Sequence, residues 1–159
     1  GAKWGPWAGH MLHMSYGKSS LFGVMTEKVG NAEQGAVVRF PLTFKSGIQR
    51  GRFSPKDGQL YMTGLNVWQS NAAKDGCLQR VRYTGKPFPF PVGYHVEPEG
   101  VTLKFDYPLD VKSLSGPAPF EASRWNYHWS ADYGSKHWSV AEPNKVGADA
   151  VPTSITVLG

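Results

Sequence analysis

Short segments of β-favouring residues, each bounded by a turn signal, follow one another along the whole chain. They recur at intervals of about ten residues, and none has the apolar period of a helix. The pattern is clearest in residues 53–83, where turns at 55–58 and 75–76 each precede a strand segment, 59–63 and 77–83. The 19 glycines and 12 prolines suit tight turns between strands. We therefore predict an all-β protein built from antiparallel strands.

A proline-rich segment at residues 86–92 (KPFPFPV) is the clearest boundary in the chain. Prolines alternating with aromatic and aliphatic side chains cannot form a strand ladder, and they favour a stiff, extended linker. The strands of residues 1–85 suit a sandwich or a propeller. The short strands of residues 93–159 suit a small β-sandwich of the immunoglobulin type.

Three finer predictions concern the region after the linker. The alternation in residues 101–105 places Val101, Leu103 and Phe105 inward. Residues 122–129 (ASRWNYHW) form a strand dense in aromatic side chains. Residues 154–158 form the final strand.

Charge and cysteine content exclude several classes of protein. The formal charge is +5, but the 17 basic residues are scattered, and nucleic-acid binding needs clustered cations, so we predict no nucleic-acid partner. No apolar run has the length of a transmembrane helix, so we predict no membrane insertion. Cys77 is the only cysteine, which excludes an internal disulfide and a thiolate metal cluster. Gly1 is not a natural start, and the strand-like run 151–158 stops without a partner, so we expect a fragment.

The aromatic residues of the second region are the first candidate site. Trp125, Tyr127 and Trp129 alternate onto a single strand face. Such a face suits a hydrophobic core or an interface, because each ring buries roughly 150–250 Å². The alternative is a carbohydrate-contacting surface, since flat rings stack on the C–H faces of sugars.

Two histidines in the same segment are a candidate metal site. His128 and His137 flank Asp132, and a hairpin could bring the two imidazoles together beside the carboxylate. Two histidines and an acid can bind zinc or copper. The other interpretation, which we favour, is an aromatic-rich hairpin with polar tips.

Several segments resemble a bacterial family of secreted proteins, the membrane-bound or glucose/sorbosone dehydrogenase-like proteins. The resemblance rests on SPKDGQLYMTGLNVWQSNAAKDGCLQRVRYTGKP, and on GPWAGHMLHMSYGKSSLFGVM, the run from QGAVVRF to LNVW, GVTLKFDYPLD and WNYHWSADYGSKHW. Together these segments span nearly the whole chain. The family is related to the quinoprotein sugar dehydrogenases, whose catalytic domain is a β-propeller.

The resemblance implies that residues 1–85 are the last part of a propeller, with a sandwich appended at 93–159. It also implies secretion or a periplasmic location, and a parent protein that oxidises a sugar with PQQ, Ca²⁺ or haem c. The loop with Trp68, Gln69 and Asn71 follows a propeller-like strand, so we expect it to contact ligand.

The matching segments carry no catalytic set, and no Cys-x-x-Cys-His motif is present to attach haem. Whether the chain belongs to an enzyme therefore stays open, and no cofactor is assigned to it. We expect a non-catalytic scaffold or ligand-contacting region, which pairs through its strand edges with the rest of the parent or with other chains. The alternative is a carbohydrate-binding or chain-assembly module with no enzymatic role.

Overall fold

The computed structural model describes residues 1–114 and 120–158, and these residues form an all-β chain of small antiparallel sheets. It divides into two compact units, Gly1–Pro108 and Leu109–Gly159. Short 3₁₀ turns lie at Gly5–Trp7 and Val111–Leu114. The strands are β1 (Met11–Ser15), β2 (Ser20–Val29), β3 (Ala32–Arg39), β4 (Gly47–Phe53), β5 (Leu60–Leu65), β6 (Gly76–Val81), β7 (Gly93–Glu97), β8 (Gly100–Lys104), β9 (Ala122–Arg124) and β10 (Asp149–Val151).

Two three-stranded meanders and one hairpin make up the first unit. β2 pairs antiparallel with β1 and β3, β5 pairs antiparallel with β4 and β6, and β7 pairs with β8. The register of β4 on β5 shifts between Ile48 and Arg50, where a bulge interrupts the ladder. The meander predicted for residues 53–83 is confirmed in β5 and β6.

The hydrophobic core of the first unit contains the residues that alternation directs to one side of each sheet. Leu21 and Met25 of β2 and Leu60 and Met62 of β5 are buried. The turn at Gly5–Trp7 adds Trp4 and Trp7, and both indoles are buried in the same core. The tryptophans of the N-terminal segment thus pack in the core with residues of β2 and β5.

The proline-rich segment 86–92 belongs to the first unit and packs against its hydrophobic core. Phe88 and Val92 lie against the hydrophobic core, and so does Tyr94 of β7. The hairpin β7–β8 therefore belongs to the first unit, and the division between units falls after Pro108. This division lies about sixteen residues beyond residue 92, where the predicted linker ends.

The predicted inward face of residues 101–105 is wrong for two of its three members. Val101 is 59% exposed and Leu103 is 41% exposed, whereas Phe105 is half-buried. The reason is that β8 has a partner strand on one edge only, in a two-stranded sheet whose outer face has no covering layer. Alternation distinguishes two faces of a strand, but it does not supply a second layer to cover one of them.

The strand predictions for the second unit are also corrected. Residues 122–129 form a strand only over Ala122–Arg124, which pairs with Asp149–Val151. Beyond Arg124 the segment makes one isolated bridge, at Asn126. Residues 154–158 form no strand. A β-favouring sequence becomes a strand only where a second segment meets its backbone groups, and these residues lack one.

Candidate ligand-binding site

A hairpin at residues 125–138, here called the aromatic hairpin, carries most of the predicted site residues. Its arms are joined by two backbone hydrogen bonds between Asn126 and Trp138, with N···O distances of 2.8 and 2.9 Å. Nearer the tip, the His128 amide donates to Ser135 Oγ at 3.1 Å. These bonds fix which side chains share a face: residues 125, 127 and 137 lie on one side, and residues 126, 128 and 138 on the other.

The three alternating aromatic residues of the hairpin are exposed. Trp125 is 48% exposed, Tyr127 75% and Trp129 93%. They are therefore not core residues, and the interpretation of this face as a hydrophobic core is wrong. An unusually large exposed aromatic surface is typical of a binding site, because soluble domains seldom leave several large rings in water without a function.

The two histidines stack on different tryptophans. His128 stacks on Trp138, with 4.4 Å between ring centroids and 16° between planes, and His137 stacks on Trp125 at 4.3 Å and 21°. They lie on opposite faces of the hairpin, so their imidazoles do not converge on a shared point. Across residues 1–114 and 120–158, no group of three or more His, Cys, Asp and Glu side chains is arranged to hold a metal ion.

A cavity of about 210 Å³ opens beside the exposed rings, and both apolar and polar side chains line it. Tyr127 and Trp129 supply flat faces, and Ser130, Asp132 and Ser135 supply hydroxyl and carboxylate groups. The volume is below the roughly 300–1,000 Å³ of pockets that enclose a drug-sized ligand. The cavity therefore suits one small polar ring held at the surface rather than an enclosed molecule.

Asp149 of β10 orders the segment that follows the hairpin. Its carboxylate accepts hydrogen bonds from Ser139 Oγ at 2.5 Å and from the amides of Val140 and Ala141 at 2.8 and 2.9 Å. The Ser139 hydroxyl and then the Ala141 amide hold the pKa of the Asp149 carboxyl below its ordinary value, because both stabilise the ionised form. This network anchors the base of the aromatic hairpin, because the hairpin ends at Trp138 and the network begins at the next residue, Ser139.

The other predicted contact loop lies between β5 and β6, in the first unit. The Tyr16 hydroxyl donates to Trp68 O and accepts from the Val67 amide, both at 2.9 Å. The Asn71 amide donates to Gly17 O at 3.1 Å. The loop backbone is thus fixed to the β1–β2 turn, and the side chains of Trp68, Gln69 and Asn71 are exposed. Trp68, Gln69 and Asn71 form a group separate from the aromatic hairpin, because the two belong to different units.

Sequence reasoning missed a charged cluster between β2 and β7. His95 Nδ1 lies 2.5 Å from Glu27 Oε1, and His95 Nε2 lies 3.3 Å from Glu97 Oε1. Glu27 and His95 are 68 positions apart in the sequence. No local spacing could have paired them.

Comparison with protein-family models, with curated proteins and with solved structures gave no significant match. The resemblance to the dehydrogenase-like family therefore stays a prediction. Among the described residues there is no helix with the length and apolar character needed to cross a bilayer.

Proposed function

We propose that this chain is a non-catalytic, carbohydrate-contacting region of a secreted sugar dehydrogenase-like protein, and that the aromatic hairpin is its binding surface. The observation that carries the proposal is the exposure of Trp125, Tyr127 and Trp129 along one hairpin arm, beside a small cavity with polar groups. The family context rests on the segments quoted above, of which WNYHWSADYGSKHW, residues 125–138, is the hairpin itself.

Sugar recognition fits the chemistry of this surface. A pyranose ring presents C–H groups on its faces, which stack on aromatic rings, and hydroxyl groups at its edge, which need hydrogen-bond partners. Trp129 and Tyr127 offer the first kind of contact, and Asp132 and Ser130 the second. The three exposed rings extend beyond the cavity, so they suit successive units of an oligosaccharide.

The fold is consistent with this assignment. Propeller blades are four-stranded antiparallel sheets, and the two consecutive meanders, β1–β2–β3 and β4–β5–β6, each have three strands of that kind. We assign residues 1–85 to the terminal part of a propeller and the unit that follows Pro108 to an appended sandwich of the immunoglobulin type. PQQ, Ca²⁺ or haem c would then bind elsewhere in the parent protein.

Titration calorimetry with cellohexaose, maltohexaose and mannohexaose tests the binding function. We expect the wild-type protein to bind at least one of them, and Trp129→Ala to weaken that binding by roughly three- to tenfold, the contribution of one stacked ring. Trp129 is 93% exposed, so its removal leaves the fold unchanged. Met11→Ala is the control, because Met11 is 65% exposed, lies in the other unit and is not one of the predicted ligand-contacting residues. Absence of binding to all three, or equal binding by Trp129→Ala, would contradict the proposal.

Chain assembly through strand edges is the second candidate, and two exposed apolar residues favour it. Val37 on the edge strand β3 is 63% exposed, and Leu78 on the edge strand β6 is 72% exposed. Unpaired strand edges that carry apolar side chains template pairing with other chains. If the chain self-associates in this way, Leu78→Lys will shift it toward monomer in sedimentation velocity. Identical sedimentation of both proteins as monomers would exclude self-assembly.

A further inference from the structure

A second cavity, distinct from the aromatic hairpin, lies in the first unit and has a volume of about 230 Å³. Its walls are mostly apolar, and five of the twelve residues that line it are aromatic. Trp7 packs edge-to-face on Phe40 and on Phe88, with centroid distances of 5.2 and 5.7 Å, and Phe40 packs on Phe88 at 5.0 Å. Trp4 also lines the cavity and lies beside Phe40. Because these rings are held against one another, the cavity is a preformed apolar site.

The charged residues of the cavity have one sign. Arg82 and Lys86 line it, both are exposed, and no Asp or Glu lines it. Within the described part of the chain neither cation has an ion-pair partner. If Arg82 and Lys86 did not line it, this cavity would suit an organic cation, which its aromatic rings would hold through cation–π contacts. Two positive charges disfavour that ligand and favour an anion.

From these observations we propose that the cavity binds a small aryl carboxylate. Its ring would lie against the aromatic side chains of the cavity, and its carboxylate would pair with Arg82 and Lys86. The size agrees, because an apolar cavity of about 150 Å³ accommodates benzene, and this one has room for a ring with one planar substituent. The site is independent of carbohydrate binding at the aromatic hairpin.

Benzoate, benzyl alcohol and benzyltrimethylammonium are the probes for this proposal, since they share one ring and differ in charge. The measurement is a ¹H–¹⁵N NMR titration that follows the indole N–H resonances, assigned with Trp4→Phe and Trp7→Phe. We expect benzoate to shift the resonance of Trp4, Trp7 or both, and to leave those of Trp125 and Trp129 unchanged. We also expect it to bind about tenfold more tightly than benzyl alcohol, as a charge-assisted contact would give.

The double variant Arg82→Gln/Lys86→Gln tests the charge recognition without touching the core. It is expected to reduce benzoate affinity to that of benzyl alcohol, and to leave the affinity for benzyl alcohol unchanged. Arg80→Gln is the matched control, because Arg80 is exposed on β6, two residues before Arg82, and does not line the cavity. The proposal is overturned if benzoate moves neither core indole resonance, if the ammonium probe binds as tightly as benzoate, or if the double variant binds benzoate like wild type.

Discussion

His95 on β7 and Glu27 on β2 form the shortest charged contact in the first unit, with 2.5 Å between Nδ1 and Oε1. The second carboxylate oxygen of Glu27 accepts from Gln34 Nε2 at 2.7 Å. The Gln34 hydrogen bond, and after it the contact with His95, lowers the pKa of the Glu27 carboxyl. Through this one carboxylate the β7–β8 hairpin is tied to the first sheet.

Replacing Glu27 should loosen the hairpin. In Glu27→Gln the amide cannot hold His95 as the carboxylate does, so we expect the amides of β7 and β8 to exchange hydrogen roughly two- to fivefold faster, as for loss of a partly exposed ion pair. Glu99→Gln is the control, because Glu99 is exposed beside the hairpin turn. Native-state hydrogen exchange by NMR measures both. Equal protection in the two variants would show that the contact does not anchor the hairpin.

The same carboxylate predicts a pH dependence. Its folded-state pKa is below the ordinary value of 4.5, so its contribution to stability is present above that value and is lost as the pH falls through the folded-state pKa. We expect the Tm of wild type to exceed that of Glu27→Gln near neutral pH and the difference to shrink below about pH 4. A difference that stays constant down to about pH 2 would contradict this assignment.

Gly23 is required by the packing of Trp7. A Cβ atom at Gly23 would collide with the indole ring of Trp7, which lies against the β2 backbone. We expect Gly23→Ala to lower the free energy of unfolding by about 1–3 kcal/mol through overpacking. At Gly35 on β3 the nearest atom to an added Cβ is Met25 O at 3.7 Å, so Gly35→Ala should be nearly neutral. Urea denaturation followed by tryptophan fluorescence compares them, and equal midpoints would contradict the prediction.

Two adjacent serines with no exposed surface should respond oppositely to alanine. Ser20 Oγ donates to Lys18 O at 2.7 Å, whereas Ser19 Oγ has no partner among the described residues. We expect Ser20→Ala to cost about 0.5–1.5 kcal/mol, the net value of a hydrogen bond, and Ser19→Ala to be neutral or stabilising, since it removes a buried unpaired hydroxyl. The pair is its own control in chemical denaturation. A larger loss for Ser19→Ala would contradict the hydrogen-bond assignment.

Asp149 should control order in the second unit. Asp149→Ala removes Oδ2, the single carboxylate oxygen that accepts from both the Val140 and the Ala141 N–H groups. In the variant we expect these two amides to lose most of their protection from hydrogen exchange. In wild type we expect the same loss of protection when acid protonates Asp149. Glu142→Gln is the control, because the Glu142 side chain pairs with Lys145, at 2.7 Å, and does not contact Asp149. Unchanged protection in Asp149→Ala would contradict this role.

Local pattern predicted much of the first unit. The turn at residues 55–58 depends on short-range interactions: Asp57 Oδ1 accepts from the Gln59 amide at 3.0 Å, and Gly58 has a φ of 72°. Short β-favouring segments after the turns likewise located β5 and β6. The exposed aromatic residues of the hairpin were also identifiable as a group, since the clustering of Trp125, Tyr127 and Trp129 is visible in the sequence.

The all-β character, the turns and the aromatic residues of the candidate ligand-binding site could therefore be predicted from the sequence. Three features depend on the tertiary structure. Val101 and Trp129 are exposed to water, and His95 contacts Glu27. The β7–β8 hairpin belongs to the first unit and not to the second. The physical reason is that turns and strand periodicity arise from interactions between near neighbours. Coverage of a face and pairing across 68 positions depend on which distant segments arrive there.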